Sequence, residues 1–297
     1  MSTAADPVTQ AYHECERITR EQARNFAWGI RLLPRPKRTA LSAVYAMARR
    51  IDDIGDGSLA ADEKLRLLAI ERTALEDPRA HHDDLVLRAL ADAARRLPIP
   101  LTAFGELIDG CEMDVAGRSY GTIDDLVEYC RCVAGSIGRL SLGVFDPALD
   151  AGALQTASAQ ADALGIALQL TNILRDVRED LGIGRVYLPA RDLEMFGCEL
   201  SFLPDGSLDP CDGALAEVIR FEAARAWGWY DRGLRLLGVL DRRSAACCAA
   251  MAGIYHDLLG RIAADPSLIM AGRTSLPGRR KLWIAGRSIV SPGSTGG

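Results

Sequence analysis

Asp52 and Asp56 stand four residues apart in Tyr-Ala-Met-Ala-Arg-Arg-Ile-Asp-Asp-Ile-Gly-Asp (45–56), so in a helix both carboxylates project from one face. Tyr45 and Arg49 fall on that face as well. Further along, Gln169, Asn172, Asp176 and Asp180 follow at spacings of three, four and four, within an arc of roughly 80°. Either pair alone reads as solvated surface. Together they read differently, because the second stripe is flanked by Ile166, Leu168, Leu170, Ile173 and Leu174, residues that favour burial. A buried carboxylate cluster needs cations to offset it. Carboxylate and amide oxygens with little histidine or thiolate nearby favour Mg²⁺, with Mn²⁺ as a substitute, over zinc. Magnesium held by few protein ligands completes its shell with water and phosphate oxygens, so two such faces set opposite each other would hold diphosphates.

A cationic complement is present. Arg24, Arg49, Arg175 and Arg185 lie in or near the acidic segments, and Arg273, Arg279, Arg280 and Lys281 follow the last long helices. Arginine suits this role because its planar fork supplies several donors to one phosphate. Singly, each of these is an ordinary surface charge.

The elements that must position these groups are helices. Strand signals are scarce and aromatic content is 6%, whereas helical spacing recurs over 8–24, 37–55, 62–76, 84–96, 101–117, 124–143, 151–181, 210–237, 244–264 and 276–287. Pro34 and Pro36, Pro98 and Pro100, and Asp209-Pro210 punctuate the boundaries, and Thr122 with Asp125 forms a capping box. The one long irregular stretch, 182–209, with a short helix at 191–196, reads as a functional loop. No composition shift or repeat divides the chain, so 1–290 is expected to be a single all-α domain and the Ser/Gly-rich 291–297 a disordered tail.

The 297 residues, 48% hydrophobic, supply an ample core, and a net charge of -5 leaves no basic field to hold nucleic acid. Eight cysteines without a CxxC pair fit reduced thiols in the cytoplasm. No segment approaches the roughly 20 apolar residues that cross a bilayer. Arg279 to Ile284 sets basic residues beside Leu282 and Trp283, which suits peripheral contact at the inner membrane face; ordinary helix packing with a charged rim is the alternative.

The chain resembles the squalene/phytoene synthase family over about 15–285. The match rests on Ala-Arg-Asn-Phe-Ala-Trp-Gly-Ile-Arg-Leu-Leu-Pro (23–34), Tyr45 to Asp56, Tyr-Cys-Arg-Cys-Val-Ala-Gly-Ser-Ile-Gly (129–138), and Gln169 to Asp180 running into Arg185-Val-Tyr-Leu-Pro189. Within that family it is most similar to bacterial presqualene diphosphate synthases of hopanoid pathways. The resemblance implies an isoprenoid-synthase-type helical bundle around a central cavity, joining two farnesyl diphosphates head to head. Two geranylgeranyl diphosphates (phytoene synthase), a full squalene synthase, and a non-enzymatic assembly factor are the alternatives. It implies Mg²⁺ ligation by Asp52, Asp56, Asn172, Asp176 and Asp180, and diphosphate or site contacts from Arg24, Tyr45, Arg49, Asp114, Gln169, Arg175, Arg185, Tyr187, Tyr255 and Arg273. Tyr129, on an inward face with Val133, matches the catalytic tyrosine. No Rossmann fingerprint is present, and no NADPH requirement is expected. Downstream isoprenoid enzymes are the expected partners. Gly135 and Gly138 permit either a kink or close helix packing.

Overall fold

The computed structural model describes residues 6–23, 26–270 and 272–290; the expected tail at 291–297 and Arg24 lie outside the described residues. Among the described residues every regular element is a helix, with a single isolated bridge between Phe202 and Leu208. The all-α expectation holds.

Local signals account for the helix starts. Asp6 accepts the Val8 amide ahead of α1 (Pro7–Gln22), and α2 is the short Phe26–Ile30. In α3 (Arg35–Asp56), Pro36 sits in the first turn, where its missing N–H costs nothing. After α4 (Ala61–Glu76), Asp84 accepts two amides at the start of α5 (Leu85–Arg96), and α6 spans Ala103–Val115. Thr122 and Asp125 form the reciprocal capping box of α7 (Ile123–Cys130).

The expected helix over 124–143 is interrupted. A π-helical turn, Arg131–Gly135, separates α7 from α8 (Ser136–Phe145). Such turns insert a residue into the helical ladder and rotate everything beyond it. Asp150 caps α9 (Ala151–Gly182), the long helix that carries the second acidic stripe, and α10 is Ala190–Phe196. Asp209-Pro210 opens only a 3₁₀ turn, Cys211–Gly213, because Cys211 and Asp212 have positive φ; α11 therefore begins at Ala214 and runs to Gly233. A 3₁₀ segment, Leu234–Val239, leads to α12 (Arg242–Ala264), the short α13 (Ser267–Met270) and α14 (Gly278–Val290). The sequence pattern did not register α2 and α13, since four or five residues are too few to display a period.

Helix α9 packs against α8, the π turn, α11 and α12, while α3 packs against α1, α5, α6 and α8. The close-packing reading of Gly135 and Gly138 holds, and the helix is interrupted at Gly135 by the π turn. A Cβ on Gly138 would lie 2.4 Å from the Ala161 carbonyl oxygen, and one on Gly165 would lie 2.3 Å from that of Ala134. Glycine at these positions lets the π turn and α8 lie directly on the backbone of α9. Cys247 and Cys248 are fully buried core residues, as their apolar context requires.

Candidate active site

Four elements converge on a cavity of about 230 Å³: α3 contributes Asp52, Gly55 and Asp56; α6 contributes Cys111 and Asp114; the α7–π segment contributes Tyr129 and Val133; α9 contributes Gln169, Asn172, Ile173, Asp176 and Asp180. Arg185 and Tyr187, on the chain leaving α9, complete the wall. The two acidic stripes thus face each other across one space. An apolar cavity of about 250 Å³ adjoins it, sharing Asp52, Val133, Gln169 and Asn172 and lined beyond them by Phe26, Val44, Tyr45, Ile137, Leu164, Leu168 and Met251. A polar chamber opening onto an apolar one suits an amphiphile with a charged head.

The carboxylates are not equivalent. Arg185 binds Asp56 at 3.0 Å, linking the end of the second stripe to the first. Asp176 is clamped from two sides: by buried Arg175, whose Nε lies 2.7 Å from Oδ1, and by exposed Arg273, whose Nε lies 2.9 Å from the same oxygen. Among the described residues neither Asp52 nor Asp180 has an ion pair. Burial, reinforced by neighbouring Asp56, pushes the Asp52 carboxyl up to about 7, and burial reinforced by Asp176 does the same to Asp180.

The amide of Asn172 donates to Gln169 Oε1 at 3.3 Å, and its own Oδ1 is buried without a partner. Two uncompensated carboxylates on opposite helices and an orphaned amide oxygen form a donor set that fits a hard divalent cation. Among the described residues no three Asp, Glu, His or Cys side chains form a metal cage of their own. Magnesium needs none, since it is commonly held by one or two carboxylates with phosphates and waters filling the shell.

The tyrosines form the opposite wall. Tyr129 and Tyr187 each donate a hydroxyl to Asp114, to Oδ2 and Oδ1 respectively, both at 2.8 Å. Their rings stack at 5.2 Å, with Tyr120 behind them at 5.3 Å from Tyr129. Burial and the nearby Asp114 charge raise the Tyr129 phenol well above its usual range, so it is a neutral hydroxyl.

Most site expectations converge here, with three qualifications. Arg49 lies beside Tyr45 and Asp52 along the apolar cavity, but its guanidinium bonds Asp53, one residue outside the stripe. Buried Tyr255 packs against Phe26, with rings 6.0 Å apart, and lies against the Arg175 guanidinium that holds Asp176, so it backs the site without lining the polar cavity. Arg24 lies outside the described residues. Cys111, which lines the cavity 4.0 Å from Asp52, and buried Tyr120, which backs the tyrosine wall, are not singled out by the sequence; a small apolar residue facing a cavity carries the same local pattern as one facing the core.

An all-helical shell with opposed acidic helices above an apolar chamber forms a site suited to an anionic head joined to an apolar chain. The squalene/phytoene synthase family matches residues 19–280. A phytoene synthase of Mycobacterium tuberculosis is 51% identical over 284 residues, covering 96% of this chain and 92% of that protein. A dehydrosqualene synthase solved in complex with ligand superposes with a TM-score of 0.81 at 26% identity, covering 95% of this chain and 97% of the other. A squalene synthase from Alicyclobacillus acidocaldarius gives 0.75 at 28% identity, over 88% and 95%. The chain belongs to the squalene/phytoene synthase family and is an enzyme of prenyltransferase type.

Proposed function

We propose that this enzyme condenses two geranylgeranyl diphosphates head to head, as a phytoene synthase. The observation that carries the substrate choice is the 51% identity to a phytoene synthase across 96% of the chain. Sequence resemblance favours farnesyl diphosphate and a cyclopropyl presqualene product; the 51% identity to a phytoene synthase favours the C20 alternative. Overall likeness to a dehydrosqualene synthase keeps a farnesyl-based condensation as the second reading.

In this reading the polar chamber holds the diphosphates and the apolar chamber a prenyl chain. Asp52, Asp56, Asn172, Asp176 and Asp180 would hold Mg²⁺, which when bound offsets the charge of the departing diphosphate. Arg185, Arg175 and Arg273 exchange their present carboxylate partners for phosphate oxygens as substrate enters. Val133, Leu164 and Leu168 exclude water from the allylic cation, so that the second chain's double bond is its nucleophile. Closing the cyclopropane requires loss of one proton. Tyr129 Oη accepts it while passing its own proton to Asp114 Oδ2, a relay that spares a neutral phenol from acting as a base alone. Loss of two diphosphates and two protons balances the joining of two C20 chains without a hydride, so no NADPH is required.

The deciding experiment is product analysis with Mg²⁺ and no NADPH. A C40 hydrocarbon from geranylgeranyl diphosphate, with farnesyl diphosphate used poorly, is the expected result. A C30 cyclopropyl diphosphate accumulating from farnesyl diphosphate would instead establish the presqualene reading, and abundant squalene appearing only with NADPH a full squalene synthase.

No helix among the described residues is long and apolar enough to cross a membrane. The lipid substrates nonetheless favour peripheral contact at the cytoplasmic membrane face through α14, where Leu282 is 57% and Trp283 52% exposed. Arg280 and Arg287 lie over the Trp283 ring at 4.8 and 5.5 Å.

A further inference from the structure

Outside the active site, two thiols sit in contact. Cys198 Sγ and Cys211 Sγ are 3.2 Å apart although 13 positions separate them in the sequence. Cys198 directly follows Gly197, the left-handed cap of α10, and Cys211 begins the 3₁₀ turn that leads into α11. The pair therefore pins the two ends of the irregular loop between these helices. Cys198 is buried, Cys211 is partly open to solvent, and the other six cysteines are buried.

We propose that Cys198 and Cys211 form a redox-responsive dithiol that closes to an intramolecular disulfide on exposure to hydrogen peroxide.

The accessible partner reacts first. The Cys211 thiolate attacks peroxide, forming a sulfenic acid and releasing hydroxide. The neighbouring Cys198 thiol then attacks that sulfur; the S–O bond breaks, the S–S bond forms, and water leaves with the Cys198 proton. In total two thiols and one peroxide give one disulfide and two waters. Burial, and then the neighbouring Cys211, raise the Cys198 thiol, so it is the slower of the two to react with peroxide; placed against Cys211, it gives up its proton as it attacks the oxidised sulfur. Contact between the two sulfurs makes the second step faster than further oxidation of Cys211.

The consequence is structural locking. Because the sulfurs already touch, the cross-link preserves the arrangement of α10 and α11, which Arg225 also ties together by binding Asp192 across the interface. It removes loop freedom from the unfolded chain, so the oxidised protein should melt at a higher temperature. Helix α10 follows Tyr187 after only Leu188 and Pro189, so the cross-link lies one short helix beyond the tyrosine wall.

Brief peroxide treatment of the purified full chain, alkylation of remaining thiols and non-reducing peptide mapping test this. The expected result is one cross-linked peptide pair containing Cys198 and Cys211, lighter by two hydrogens, restored by dithiothreitol, with a melting temperature that rises on oxidation. In Cys198→Ser, Cys211 should instead gain oxygen and no cross-link should form. Two alkylated thiols after treatment of wild type, or oxygen added to Cys211 without a cross-link, would overturn the proposal. None of these readouts depends on which prenyl substrate the enzyme uses.

Discussion

Tyr129 donates its hydroxyl proton to Asp114 Oδ2, 2.8 Å away, with the Tyr187 hydroxyl 3.4 Å from the Tyr129 oxygen and the polar cavity in front of them. In the proposed reaction that geometry would make Asp114 the acceptor in the proton relay and Tyr129 the group nearest the substrate.

Tyr129→Phe should therefore lower kcat by about 10²–10⁴-fold with little change in KM, because in the proposed function the arginines, and the acidic side chains through Mg²⁺, would hold the diphosphates. Steady-state kinetics on purified protein checks this; a large rise in KM at unchanged kcat would assign Tyr129 to binding.

Asp52→Asn and Asp176→Asn should both abolish turnover, yet move stability in opposite directions. Asp52 is an uncompensated carboxylate whose native pKa is raised to about 7, so its contribution to stability is present at low pH and is lost as pH rises through about 7. Replacing it should stabilise the metal-free protein at pH 8, by on the order of 1–2 kcal/mol. Asp176→Asn leaves buried Arg175 with a weaker partner and should destabilise by about 1–3 kcal/mol. Thermal melts in chelator resolve the two. Equal shifts would count against this division of roles.

Glu222, only 2% exposed, shares its surroundings with Asp192 and Arg225. Burial, together with Asp192, raises its pKa above the ordinary 4.5. The native state thus binds this proton more tightly than the unfolded chain, and stability declines as pH rises above about 4.5 until the native pKa is passed. Glu222→Gln should flatten that decline, which melting temperatures from acid to mildly alkaline pH would show.

Gly165→Ala would place a methyl group 2.3 Å from the Ala134 carbonyl oxygen, against backbone that cannot yield. Destabilisation of about 1–3 kcal/mol is expected in denaturant unfolding. A neutral result would mean that the π turn moves freely over α9.

Trp283→Ala combined with Arg280→Ala should reduce sedimentation with anionic liposomes. Because Arg280 also pairs with Asp257 at 2.6 Å, the variant's fold is checked by its melting temperature. Undiminished liposome binding would remove α14 as the contact surface.

Much of this enzyme was legible in its sequence because helical periodicity is a local property. The spacing of Asp52 with Asp56, and of Gln169 through Asp180, fixed which side chains share a face before any packing was known. The Thr122–Asp125 cap and the proline boundaries are likewise decided within a few residues. What required the tertiary structure were relations across long separations. Shared faces and apolar flanks led to the expectation that the two acidic pairs face one cavity, but not to its cross-contacts: helix packing brings Arg185 to Asp56, 129 positions away, and Arg273 to Asp176, 97 away. It leaves Asp52 and Asp180 uncompensated, and makes Asp114 the common acceptor for two tyrosines. The π turn was hidden because one inserted residue barely alters the periodicity of a helix, though it changes the direction of every side chain after it. The apolar chamber was hidden for a related reason: Ile137, Leu164 and Leu168 are as hydrophobic beside a void as inside a core, and only the packing of α8 and α9 determines which they face.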